Sequence, residues 1–189
     1  MDRNTIEGID YGPLANLIGS WKGNKGIDIA PDPDGEENNP YYETILFEAI
    51  GDVTNAESQN LSALRYHQIV YRKSNDKVFH NETGYWMWDS ERNIIMQSLT
   101  IPRGVCLLAG GTASSNDNET TINVQAALDN KEWNIIQSPF MTDNAKTTSF
   151  KHHISVKGDQ LEYSETTMVD IFGKNFEHTD DNTLIRLQD

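Results

Sequence analysis

The chain has 189 residues, room for one large domain or two small ones, and its 29 Asp and Glu against 15 Lys and Arg leave a net charge of −14. That balance excludes a phosphate-backbone binder, which needs a basic face to displace counterions, and argues against docking on anionic lipid. Disorder, the other reading of high charge, is excluded by 4 Trp, 7 Tyr and 6 Phe, which demand a core.

The opening, Met1-Asp2-Arg3-Asn4-Thr5-Ile6-Glu7, has neither the basic region nor the apolar core of a signal peptide. No apolar run reaches the roughly 18–20 residues of a membrane span, so no membrane insertion is expected. The one cysteine, Cys106, excludes an internal disulfide. Within Gly104-Val105-Cys106-Leu107-Leu108 it reads as a buried, inert thiol. A cytoplasmic protein fits these features.

Residues 1–16 form a lead-in, with Pro13-Leu14-Ala15-Asn16-Leu17-Ile18 predicted as a short helix. Period-two alternation then takes over, as in Ala63-Leu64-Arg65-Tyr66-His67-Gln68-Ile69-Val70-Tyr71-Arg72, the pattern of a half-buried strand. It predicts strands at 17–29, 41–50, 63–72, 78–88, 93–101, 105–113, 120–128, 147–156, 160–172 and 176–187. Turn clusters separate them, among them Ser74-Asn75-Asp76, Asp89-Ser90-Glu91-Arg92-Asn93, Ser114-Ser115-Asn116-Asp117-Asn118 and Lys157-Gly158-Asp159. The linker Ala30–Pro40, with three of the six prolines, reads as a surface loop. Gly110-Gly111 inside a strand suggests a kink or bulge. About ten consecutive strands predict an all-β chain: one antiparallel up-and-down barrel over 17–189, closed to remove its edges. Residues 1–189 are expected to form a single domain.

Glycines within the first strand, Gly19-Ser20-Trp21-Lys22-Gly23, imply a sharp bend or close backbone approach. Trp21 is placed to plug a barrel end. Arg186 on the last strand can lie over that indole by cation–π contact, worth about 0.5–2 kcal/mol, and so close the barrel.

Two segments carry a resemblance. Leu17-Ile18-Gly19-Ser20-Trp21-Lys22-Gly23 is similar to a Leu-Leu-Gly-x-Trp-x-Gly motif, and His80-Asn81-Glu82-Thr83-Gly84-Tyr85 to His-x-Glu-Ser/Thr-Gly-Tyr. Together they resemble the nitrobindin-like haem-binding β-barrels, within the fatty-acid-binding-protein and lipocalin (calycin) superfamily. The resemblance implies ferric haem b in the barrel mouth, one histidine near the C-terminus on the iron and a second close by. By position these are His178 and His80. It further implies nitric oxide binding and isomerisation of peroxynitrite to nitrate. An apolar wall would draw on some of Trp86, Met87, Trp88, Met96, Met168, Phe172 and Phe176, with strand register deciding which face inward.

Other readings of the same residues stay open. His80 could simply hydrogen-bond to Glu82 or Tyr85, and His178 could be a hydrogen-bonded strand histidine. The segment around it has no Pro, reads as a returning strand with a polar break, and crowds Glu177, Asp180 and Asp181 around the imidazole. His67, His152 and His153 read as ordinary strand residues, the last two on opposite faces. The barrel could hold a lipid or another apolar molecule without catalysis, although Arg186-Leu187-Gln188 lacks the Arg-x-Tyr clamp of fatty-acid binders. It could equally have a filled interior and serve as an interaction module. The expected partner is a hydrophobic small molecule, with no nucleic acid; a homodimer is left open.

Overall fold

The structure is a computed structural model describing residues 4–116 and 119–188. Met1–Arg3 of the lead-in, Asp117 and Asn118 of one turn cluster, and Asp189 lie outside it. A two-residue hairpin, β1 (Thr5–Ile6) with β2 (Ile9–Asp10), precedes a 3-10 helix over Gly12–Leu17. Then follow β3 (Gly19–Asp32), β4 (Gly35–Asn55), β5 (Gln59–Arg72), β6 (Val78–Asp89), β7 (Ile94–Ile101), β8 (Val105–Ser115) and β9 (Thr120–Ala127). The chain continues through β10 (Ile135–Gln137), α1 (Pro139–Asn144), β11 (Ala145–Lys157), β12 (Gln160–Ile171) and β13 (Lys174–Arg186).

Consecutive strands pair antiparallel from β3 to β9 and from β11 to β13. Pairings of β13 with β3, and of β11 with β9, complete a ring of ten strands. Short β10 pairs with Val105–Leu107 of β8, on the edge that β9 takes further along at Gly110–Ser115. The predicted up-and-down barrel is therefore the observed one. Alternation builds it: on β5, Leu64, Tyr66, Gln68 and Val70 point inward while Arg65 and His67 face solvent.

One end is closed. Tyr11, Leu14 and Leu17 of the lead-in are buried against Trp21 and Trp86. Trp21 Nε1 donates to the Leu17 carbonyl at 2.6 Å. The Arg186 guanidinium lies 4.1 Å from the Trp21 ring centre, and its Nη groups donate to the carbonyls of Ile18 and Asn16.

Several sequence expectations are corrected. The Ala30–Pro40 segment is a hairpin rather than a loop, with its turn at Pro33-Asp34. The prolines are tolerated because Pro31 lies past the last β13 partner of β3, and Pro40 before the first β5 partner of β4; each has a strand on one side only. Gly110 and Gly111 make no bulge; both pair in register with β7. They are glycine because a Cβ would come within 2.2 Å of Trp133 or 1.9 Å of the Asn123 carbonyl. Cys106 is only half-buried, facing away from its inward neighbours Val105 and Leu107. The β10–α1 insertion was not legible from alternation. Ser138 caps α1 by accepting from the Met141 amide, with Pro139 in the first turn.

Candidate functional site

The unplugged end holds a cavity of about 340 Å³, so the interior is not filled by side chains there. One wall is apolar: Leu99 and Ile101 from β7, Val105 and Leu107 from β8, Phe150 from β11, and Val169 and Ile171 from β12. None of the seven candidates for that wall lines it. Trp86 and Trp88 do face inward, but toward the plugged end, where Trp88 packs on Gly12. Phe172 sits in the β12–β13 turn, exposed. Which end of each strand opens depends on where the lead-in folds, and alternation carries no trace of that.

The opposite wall is polar, and strand register explains it. Asn39 on β4 pairs with Asp28 on β3, Asp28 with Asp180 on β13, Asp180 with Glu165 on β12, and Glu165 with His152 on β11. Three carboxyl groups thus stand side by side on adjacent strands, an arrangement that mutual repulsion disfavours.

Both histidines named by the resemblance line this cavity. His178 Nε2 lies 2.6 Å from Asp28 Oδ1 and 3.3 Å from Asp180 Oδ2. Burial pulls the imidazole down, but the Asp28 hydrogen bond and the charges of Asp180 and Asp28 outweigh it and raise its pKa. Asp180 is pushed up to about 6, by burial first, with the Asp28 charge adding to it and His178 opposing. Glu165 rises well above the carboxylate range through burial and the charges of Glu82, Asp180 and Glu43. The polar break expected in the last strand does not interrupt it: β13 pairs in unbroken register with β12, and the irregularity facing Asp181–Leu184 is an extra residue on β3 between Gly23 and Gly26. Alternation in step with Asp180 and Leu184 turns Asn182 inward, where it donates to Glu43 at 2.6 Å. Gly23 leaves room for that amide, since a Cβ there would lie 2.7 Å from Asn182 Nδ2. Glu177 and Asp181 of the acidic neighbourhood face solvent; Asp180 alone of the three turns into the cavity.

His80 Nε2 is 3.2 Å from Glu82 Oε2. Burial lowers this imidazole, yet the bond to Glu82 and its charge leave the pKa raised. The motif's spacing is then a strand pattern: His80, Glu82 and Gly84 point inward, Thr83 and Tyr85 outward. Glu82 accepts from Tyr66 at 2.5 Å, Gln97 donates to the Tyr66 hydroxyl at 3.1 Å, and His152 Nδ1 meets Gln97 Oε1 at 3.1 Å. His152 is no ordinary strand residue. Buried among the rings of Trp86, Phe150 and Tyr163, it has its pKa lowered to about 4, burial being the main cause. His153 points out, bonded to Asn123, and His67 is likewise exposed.

Below the cavity, fully buried Glu43 accepts from Gln68 (2.6 Å), Tyr163 (2.9 Å) and Asn182. Burial lifts its carboxyl to about 7 against those bonds. The Tyr41 and Tyr163 hydroxyls are 2.7 Å apart. Toward the opening, Arg72 lies 5.0 Å from the Phe79 ring centre, and its buried Nε has no partner among the described residues. Arg103 donates to the Phe79 carbonyl. Sequence reasoning missed Glu43, Glu165, Tyr41, Tyr163, Arg72 and Arg103. The one signal for the strand residues among them was alternation in phase with inward neighbours; Arg103, in the β7–β8 turn, gave none.

Among the described residues no helix is long and apolar enough to cross a membrane. No curated protein matches the chain by sequence. Rv2717c from M. tuberculosis, a crystal structure, superposes with a TM-score of 0.70 over 93% of this chain and 95% of that one. At 21% identity that likeness shows the fold. The family model described as "THAP4-like, heme-binding beta-barrel domain" matches residues 10–186, nearly the whole chain. The chain belongs to this nitrobindin-like family of haem-binding β-barrel domains.

Proposed function

We propose that the cavity binds haem b, with His178 as the iron ligand and His80 beside the bound group. The observation that carries this is the pairing of cavity-lining His178 with buried Asp28. A metal-binding imidazole is commonly fixed through its other ring N–H by a carboxylate, which sets the tautomer and raises donor basicity. Asp28 holds Nε2, and no hydrogen bond to Nδ1 is seen among the described residues, which leaves Nδ1 as the donor.

The remaining residues suit the group. The β7–β8–β11 wall supplies apolar cover. Arg72, with its unpartnered buried Nε, and Arg103 supply positive charge toward the opening for the propionates. These guanidiniums offset the acidic neighbourhood of His178. Bound there, ferric haem would supply Lewis-acid and oxygen-transfer chemistry, including isomerisation of peroxynitrite to nitrate. The chain's own part is to hold the ring of His178, to present the Glu82-bound imidazole of His80 as a hydrogen-bond donor, and to limit water through the apolar wall.

Haemin titrated into haem-free protein tests this. Wild type should develop a Soret band saturating at one equivalent, and His178→Ala should bind at least tenfold more weakly, with an altered band. A band of equal strength in both would remove the assignment. A carboxylate-headed amphiphile is a second reading favoured by Arg72; it would bind both proteins alike and leave haemin without a Soret shift.

A further inference from the structure

We propose that Asp28, His178 and Asp180 form a site for a first-row divalent cation such as zinc, independent of haem. The donors are Nε2 of His178 and one carboxylate oxygen from each aspartate, all within 4.8 Å of one another. This is the ring nitrogen that the haem reading leaves on Asp28, so the inference does not need haem to bind.

Geometry comes first. Donors about 2.0–2.2 Å from a tetrahedral ion lie about 3.3–3.6 Å apart. His178 Nε2 and Asp180 Oδ2 stand at the short end of that range, 3.3 Å, and Asp28 Oδ1, at 2.6 Å, would move outward by about 0.7–1 Å. One imidazole and two carboxylates are a mixed N/O set that suits zinc and its first-row neighbours. Three protein ligands leave a fourth position open for water or a ligand from the cavity.

An outer partner is already in place. Asn39 Nδ2 donates to Asp28 Oδ2 at 2.9 Å, which fixes the carboxylate and leaves Oδ1 for His178 or a cation. Such outer contacts are typical of metal sites. Electrostatics supplies the need. Asp28 and Asp180 are direct cross-strand partners, Glu165 continues the row, and Asp28 is 3% exposed. The imidazole of His178 is the one nitrogen donor within reach of both aspartates in that cluster. A divalent cation there would offset the mutual repulsion of the two carboxylates.

Zinc titrated by calorimetry into metal-stripped, haem-free protein tests the site, with cobalt absorption as a spectroscopic check. One equivalent should bind to wild type and to the control His153→Ala, at least tenfold less tightly to Asp180→Asn, and not to His178→Ala. Circular dichroism establishes that each variant is folded, and His178→Gln replaces either one that is not. No binding to wild type, or equal binding by wild type, Asp180→Asn and His178→Ala, overturns the proposal. Haemin titration of Asp180→Asn separates the two readings. Zinc binding to wild type lost in Asp180→Asn, with the Soret band kept, supports the metal site. Absence of a Soret band in wild type beside stoichiometric zinc binding refutes only the haem reading.

Discussion

The Tyr66 hydroxyl donates to Glu82 at 2.5 Å, and through that bond the open half of the barrel is tied to the closed half. On one side Glu82 holds His80 at the cavity; on the other Tyr66 accepts from Gln97, which meets His152 in the core. Tyr66→Phe keeps the packing and removes one hydroxyl from a buried network. It leaves Glu82 and Gln97 each short of a partner, at a cost of about 1–3 kcal/mol per unsatisfied group. Urea denaturation should show a loss in that range. A stability equal to wild type would mean that the bond is not formed in solution.

His152 and Glu43 push stability in opposite directions with pH. Folded, His152 stays neutral down to about 4, whereas the unfolded chain protonates it near 6.5. The unfolded state then binds more protons in that window, so stability falls as pH drops from 6.5 to 4, by about 3 kcal/mol in all. Glu43 keeps its proton up to about 7 when folded and loses it near 4.5 when unfolded. Its contribution falls as pH rises from 4.5 to 7, and Glu165 acts in the same sense. Thermal unfolding against pH should give a dome. His152→Phe should flatten its acid side and Glu43→Gln its alkaline side.

Gly84 occupies the one motif position where side-chain chemistry is irrelevant. A Cβ there would lie 1.9 Å from the Ser98 carbonyl oxygen on β7 and 3.1 Å from the Tyr66 ring. Gly84→Ala should therefore force β6 and β7 apart and cost about 3 kcal/mol or more. Chemical denaturation checks the magnitude. A loss below about 0.5 kcal/mol would show that the strands separate freely there.

Arg186 fastens the last strand to the lead-in through the Trp21 ring and the carbonyls of Asn16 and Ile18. Arg186→Lys keeps the charge but loses the planar fork that serves all three contacts. We expect a loss of about 1–2 kcal/mol, with Arg186→Ala lower still, measured by urea unfolding followed by Trp fluorescence. If the lysine variant matches wild type, the charge over Trp21 carries the whole contact.

What was legible in the sequence divides along a physical line. Alternation and turn residues are local, so the ten strands could be read directly, and Trp21, Gly84 and His80 sit in contiguous motifs. The acidic rung could not be read. Asp28 and Asp180 are neighbours only through the β13–β3 register, which shifts at an extra β3 residue between Gly23 and Gly26 that alternation does not reveal. The apolar wall failed for a related reason: Trp86 and Trp88 point inward as alternation implies, but toward the plug. Arg72 and Arg103 lie in or beside turns, where charged residues usually mean solvent, and only the closed barrel brings both to one opening.

The affinity of haemin for wild-type protein relative to His178→Ala, from Soret titration of the metal-stripped chain, tests the central claim most directly. Ligation by His178 predicts one equivalent bound to wild type and at least a tenfold weaker, spectrally altered complex in the variant. Equal affinities with identical spectra, or no Soret band from wild type, would contradict it.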